Sequence, residues 1–178
     1  MTEKSYIVDD KKIYVYDNMF TDDVVFDIAV KNTKSVFQRK EYSKDETKLF
    51  YSANFELEDI ISTKFYKQIV EKIYEKFDIN VKLQSARINA QTFGDMSEIH
   101  IDSDVGGITV LYYINEVWDK EWGGETVYYE KGEPVVNVLP KSGRIALADS
   151  RISHVGRSPT RQCTGVRQTL ALKFVRVN

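Results

Sequence analysis

Residues 81–115 read VKLQSARINAQTFGDMSEIHIDSDVGGITVLYYIN, and from the start of this stretch the hydrophobic period is two. It contains three short β-rich runs, VKLQSARINAQTF, EIHIDS and GITVLYYIN, set apart by Gly, Asp and Asn. Five more follow: ETVYYE, PVVNVL, GRIALADS, ISHVGR and RQTLALKFVRV. Around eight short strands in about 95 residues predict a sandwich or barrel of the jelly-roll kind. Upstream the pattern differs. SYIVDDKKIYVYD reads as two short strands around a charged turn, with Tyr6 and Val8 on one face of the first and Ile13 and Val15 on one face of the second. FTDDVVFDIAVKN predicts a helix capped by Thr21, with Asp22 and Asp23 in the first turn, where the helix dipole favours acids. ISTKFYKQIVEKIYEKF predicts a second helix. Ile61, Phe65, Ile69, Ile73 and Phe77 recur at i+4 with Val70 on the same face, a stripe that belongs against a core. The expected architecture is α+β in one domain over residues 1–178. Residues 1–80 supply strands and helices that buttress one sheet, and residues 81–178 form the β core.

Composition removes several function classes. With 178 residues, of which 42% are hydrophobic and 29% charged, the chain suits a single soluble domain. A net charge of −2 provides no electrostatic footprint for a phosphate backbone, so no nucleic-acid partner is expected. The one cysteine, Cys163, cannot form an internal disulfide and fits a reducing compartment. The opening MTEKSYIVDDKKIYVYD lacks the apolar core of a signal peptide, and no run of about 18 apolar residues is present. A cytoplasmic protein with no membrane partner is expected. Tyr6, Tyr14, Tyr16 and Phe20 would pack on the chain's own barrel or on a partner; the oligomeric state stays open.

The chain has two histidines, and His100 stands two residues from Asp102 in SEIHIDSDVGG. Side chains two apart on a strand share a face, so both project into one space. His154 follows 54 positions later in another predicted strand. Two imidazoles and a carboxylate on one face of an octahedral ion make the facial triad of non-haem Fe(II) oxygenases, with open positions for a cosubstrate and O₂. The competing assignment is a solvated His100 and a hydrogen-bonded core His154. No H-E-x-x-H helix of the zinc-hydrolase type is present. Arg167 opens the last strand with Thr169 and Ala171 on its face. It suits a carboxylate grip, because arginine binds bidentately and stays charged when buried. Tyr113, on a face with Leu111 and Thr109, could complete that grip. Arg151, Arg157 and Arg161 lie in polar, loop-like surroundings and are read as solvated.

Taken in order, these motifs resemble the 2-oxoglutarate/Fe(II)-dependent oxygenase superfamily, in its prolyl 4-hydroxylase-like branch, from about residue 83 to 176. His100 and Asp102 resemble the proximal metal pair and His154 the distal ligand. ITVLYYIN resembles the strand whose tyrosine contacts 2-oxoglutarate, matching Tyr113. WGGETVYY resembles the Gly-Gly-Glu-Thr segment, VLPKSGRIALADSRISHVG the block before the distal histidine, and Arg167 the basic position on the last core strand. Two features depart from the branch. Gln91 stands where many members carry a tyrosine, so contact there would come from an amide, and the basic residue is arginine where collagen-type enzymes favour lysine. Both loosen the implication that proline is the substrate. The resemblance implies a double-stranded β-helix with the site at its open end, Fe(II), 2-oxoglutarate and O₂, ascorbate as reductant, and hydroxylation of an unactivated C–H bond. A prolyl residue of a peptide or protein is the implied substrate, with a free amino acid or other small molecule as the alternative. Nucleic-acid demethylation is disfavoured by the net charge, and a non-catalytic cupin-like module by the intact triad with Arg167. The loop EVWDKEWGG, with Trp118 and Trp122, either covers substrate or serves packing.

Overall fold

The computed structural model describes residues 1–25, 28, 36–39, 50–95 and 97–177. Its strands are β1 (Thr2–Val8), β2 (Lys11–Asp17), β3 (Gln38–Arg39), β4 (Tyr51–Asn54), β5 (Asn80–Gln91), β6 (Ile108–Tyr113), β7 (Thr126–Glu130), β8 (Glu133–Val138), β9 (Ile145–Asp149), β10 (Ser153–Gly156) and β11 (Arg167–Val177). The helices α1 (Leu57–Ile61) and α2 (Lys64–Phe77) lie between β4 and β5. Eight strands form a large sheet in the order β1-β2-β9-β6-β11-β5-β4-β3, and β10-β7-β8 form a small one. Adjacent strands in both are antiparallel. This is the expected double-stranded β-helix, with a modest helical share.

Alternation along the central strands separates two environments. Ile88 and Leu83 of β5, Val110 and Tyr112 of β6, Leu147 of β9 and Leu170, Leu172 and Phe174 of β11 face the helices, where Phe65, Ile69 and Ile73 of α2 cover them. The opposite face looks toward the small sheet. One end of that space is closed by a second apolar cluster that includes Val15, Tyr113, Tyr128, Val138 and Ala146. The other end is open and polar, and holds the candidate site.

The N-terminal segment packs on its own barrel. Tyr16 is fully buried, Phe20 lies against Phe65 and Tyr112, and Tyr14 meets Phe77 edge-on. The helix expected from Thr21 starts as a helical turn at 22–25, hydrogen-bonded to the Thr21 carbonyl; most of its remaining length lies outside the described residues. The other expected helix is divided. Thr63 accepts a hydrogen bond from the Tyr66 amide as N-cap of α2, while its hydroxyl donates to the Ile60 carbonyl. A capped start at that point ends α1 first, so Ile61 leaves the apolar stripe and is 41% exposed. EIHIDS also differs from the expected strand. Only His100 forms a β-bridge, to His154, and the chain then bends, with the Asp102 and Ser103 amides both donating to the Ser150 carbonyl. Gly107 completes the turn into β6 at φ +143°, where a Cβ would stand 2.2 Å from the Phe174 carbonyl oxygen.

Candidate active site

The open end of the barrel is a pocket bounded by β5, β6 and β11 of the large sheet and by β7, β10 and the His100–Asp102 bend opposite. The bend puts His100 and Asp102 on one side of the pocket, and the bridge to β10 brings His154 beside them. One ligand atom from each of the three lies within 4.8 Å of the others, so the group could hold a metal ion. His100 Nε2 is 3.6 Å from Asp102 Oδ1 and His154 Nε2 is 3.4 Å from Oδ2. Both Nδ1 atoms lie 2.9 Å from backbone carbonyls, of Glu98 for His100 and Ile152 for His154. Nδ1–H donation to those carbonyls leaves the Nε2 lone pairs facing inward, the tautomer a metal ligand needs.

Asp102 is deeply enclosed. Burial alone would raise its pKa, but nearby His100 and His154 and the Lys173 ammonium hold the carboxyl well below the usual range. The Thr109 hydroxyl donates to Oδ2 at 2.6 Å, and Lys173 Nζ stands 2.6 Å from Oδ1. Lys173 reaches it from beside a β-bulge in the β11–β5 pairing. Burial lowers the pKa of the His154 imidazole, against the pull of the Asp102 carboxylate, which favours the neutral form that coordinates. Ordinary imidazole, carboxylate and open positions suit a borderline divalent ion such as Fe(II).

At the buried end of the pocket lies Arg167, only 2% exposed. Nε donates to the Gly124 carbonyl at 2.6 Å, one terminal nitrogen to Gln91 Oε1 at 2.9 Å and the other to Thr126 Oγ1 at 3.0 Å. Of five N–H donors, one on each terminal nitrogen remains for a ligand. Burial lowers the guanidinium pKa but leaves it a cation. Gly124 is required here: at φ +76° a Cβ would stand 3.1 Å from both the Arg167 Cδ and the Trp118 ring.

Of the residues expected from sequence, His100, Asp102, His154, Arg167, Thr169 and Gln91 all line this pocket. Tyr113 does not. Its hydroxyl is buried, 2.8 Å from Thr126 Oγ1 and 3.1 Å from the Val138 carbonyl oxygen, so Thr126 stands between it and the pocket. Thr126 Oγ1 accepts from Arg167 and lies within hydrogen-bond distance of the Tyr113 hydroxyl, so it ties the two side chains together. Sequence reasoning noted the Gly-Gly-Glu-Thr segment without assigning Gly124 or Thr126 a role. It also passed over Arg87, Asn89 and Lys173, whose signal was only the period-two alternation on β5 and β11. Trp118 and Trp122 pack edge-on with centroids 5.3 Å apart, and Trp118 Nε1 donates to the Gly123 carbonyl, a packing arrangement over the Gly124 turn. Arg151 pairs with Asp149 at the surface, Arg157 bonds the Tyr129 hydroxyl and Arg161 is exposed, all away from the site.

A family model described as the 2OG-Fe(II) oxygenase superfamily matches residues 84–174. No curated protein sequence matches the chain. Among solved structures, the chain is similar to a Trichoplax adhaerens prolyl hydroxylase in complex with a hypoxia-inducible-factor peptide fragment. The identity is 17% and the TM-score 0.67, over 91% of this chain and 82% of that one. A Pseudomonas putida prolyl-4-hydroxylase gives 15% identity and TM-score 0.67, covering 93% of each chain. The viral collagen prolyl hydroxylase of Paramecium Bursaria Chlorella virus-1, in its 2-oxoglutarate complex, gives 13% and 0.65, over 93% of this chain and 96% of that one. Among the described residues, no helix is long and apolar enough to cross a membrane.

Proposed function

The chain belongs to the 2OG-Fe(II) oxygenase superfamily, and from that premise we propose that it hydroxylates an unactivated C–H bond, with His100, Asp102 and His154 as metal ligands and Arg167 as anchor of the distal carboxylate of 2-oxoglutarate. The overall reaction balances as substrate C–H, 2-oxoglutarate and O₂ giving substrate C–OH, succinate and CO₂, with ascorbate as external reductant. The observation that carries this reading is the single pocket with a three-ligand group at one side and a buried, partly unoccupied guanidinium at the other. Bound between them, Fe(II) and 2-oxoglutarate supply the oxidising chemistry.

The protein's own part is holding and shielding. Nδ1–H bonds to Glu98 and Ile152 hold the two imidazoles by their far sides, and Thr109 and Lys173 fix the orientation of Asp102. Thr126 and Gln91 hold the Arg167 fork in place. Leu111, Ala171 and Phe50 supply apolar lining that limits water.

On the substrate, prolyl hydroxylases among the structural neighbours support a prolyl 4-hydroxylase-like activity on a peptide or protein. A free amino acid or other small molecule is the second reading, favoured by Arg87, a pocket arginine that no described residue pairs. Wild type with Fe(II), ascorbate and 2-oxoglutarate should release succinate even without substrate. His100→Ala and Asp102→Ala should lose both succinate release and Mn(II) binding by titration calorimetry. Arg167→Ala should weaken 2-oxoglutarate binding about a hundredfold, as removal of a buried charge-assisted contact does. A wild type that neither binds nor decarboxylates 2-oxoglutarate would end the proposal.

A further inference from the structure

The strand β5 turns Gln91, Asn89 and Arg87 into the pocket at every second position, from the buried end toward the half-buried one. Gln91 is saturated: Oε1 accepts from Arg167, and Nε2 donates to Ser97 Oγ and to the Gly156 carbonyl, each at 3.1 Å. The next two residues are not. Asn89 Oδ1 and Arg87 Nε are both shut off from solvent, and neither has a hydrogen-bond partner among the described residues. Arg87 makes no ion pair with any described residue. The other cation at this end, Lys173, is already engaged by Asp102.

Register places Arg87 beside the centre. It lies directly across from Ala171, whose neighbour on β6 is Leu111; two residues along β11 and β6 stand Lys173 and Thr109, which both hold Asp102. Arg167 at the far end is the cation fitted with positioning partners, so the cosubstrate carboxylate has its own anchor and Arg87 is surplus to it. A buried N–H and a buried carbonyl oxygen left empty side by side cost folding free energy, and proteins keep such groups where a ligand completes them. An arginine asks for a carboxylate, taken side-on, and an amide oxygen asks for an N–H.

We infer that Arg87 and Asn89 form the substrate subsite, and that the substrate carries a free carboxylate next to an N–H donor: an amino acid, either free or as the C-terminal residue of a peptide. An internal residue of a protein chain lacks the carboxylate and would leave Arg87 unpaired. The inference rests on the hydroxylase reading above and narrows its substrate.

The test measures succinate formation by the Fe(II)-loaded enzyme with three probe sets. These are the free amino acids, peptides ending in the same residues, and the carboxamide of each. The expected result is stimulation by a free acid, with a product one oxygen heavier, and at least about tenfold less by its amide. Free acids and acid-ended peptides separate the two sources. Arg87→Met should lower that stimulation about a hundredfold, and Arg87→Lys should recover part of it. Anaerobic 2-oxoglutarate titration of Mn(II)-loaded Arg87→Met, read by tryptophan fluorescence, should stay within about threefold of wild type. The melting temperature of Arg87→Met should not fall, because no hydrogen bond or ion pair to a described residue is lost. Amides as effective as acids, no stimulation by any free acid, or Arg87→Met weakening 2-oxoglutarate as much as Arg167→Met would each overturn the subsite. Wild type that binds no 2-oxoglutarate would instead sink the oxygenase reading, and the subsite with it.

Discussion

Asp17 shows how single side chains tie the N-terminal hairpin to the barrel. Arg144 grips its carboxylate through Nε at 2.7 Å and a terminal nitrogen at 3.1 Å, and Lys141 adds a third contact at 2.8 Å. The Arg144 hydrogen bonds, opposed by burial and helped by Lys141, lower its pKa from 3.8 to about 2. A carboxyl depressed in the folded state stabilises above its unfolded pKa, and that contribution disappears as pH falls through the folded value. Asp17→Asn should therefore cost about 1–3 kcal/mol at pH 7, with the gap to wild type closing between about pH 4 and pH 2. Urea unfolding across that range checks it, and an Asn variant as stable as wild type at neutral pH would refute it. Residue identity at the centre was readable from sequence because H-x-D, a distal histidine and a strand-opening arginine occur in a set order. Arg87 and Asn89 were not readable. Alternation says that they share a face, but only the packed structure says which face looks into the pocket and what else is there to pair them.

At the scale of elements, α2 and the segment before it make opposite demands on similar residues. Ile69 is fully buried under the large sheet, whereas Ile61 sits outside the capped helix in partial contact with solvent. Ile69→Ala should cost about 2–5 kcal/mol, and Ile61→Ala about 0.5 kcal/mol or less, both by denaturant titration. Equal costs would mean that one unbroken helix runs through Thr63. The i+4 pattern could not reveal that break, since a threonine is tolerated within a helix and becomes a cap only when its hydroxyl meets the Tyr66 amide. The same limit explains EIHIDS. Its composition reads as a strand, yet a single bridge followed by two amides on the Ser150 carbonyl bends it away after His100. The strand β4 went unread because YSAN carries no apolar alternation, and its place is dictated by pairing with β5.

For the molecule as a whole, the two sheets meet across the pocket. His154 belongs to the small sheet, Arg167 to the large one, and Asp102 to the bend between them, tethered to both Ser150 and Thr109. A ligand held by all of these cross-links the sheets, so metal and cosubstrate should stabilise folding together. Mn(II) with 2-oxoglutarate at about one hundred times their dissociation constants should add about 2.7 kcal/mol for each independent site, seen as a rise in melting temperature. His154→Ala should abolish the metal-dependent rise. Sheet architecture was legible from strand count and spacing, whereas the strand order, with β1 to β4 extending the large sheet on both sides, depends on distant pairings that local pattern does not encode. That order also governs how the protein meets copies of itself. The large sheet ends in β1, whose outer half is the exposed, charged run Thr2–Ser5, and in β3, which among the described residues pairs over Gln38 and Arg39. The small sheet ends in β8, which opens with exposed Glu133 and Pro134. Short, charged or proline-bearing borders are poor templates for adding a foreign strand. They leave this β-rich chain guarded against edge-to-edge aggregation.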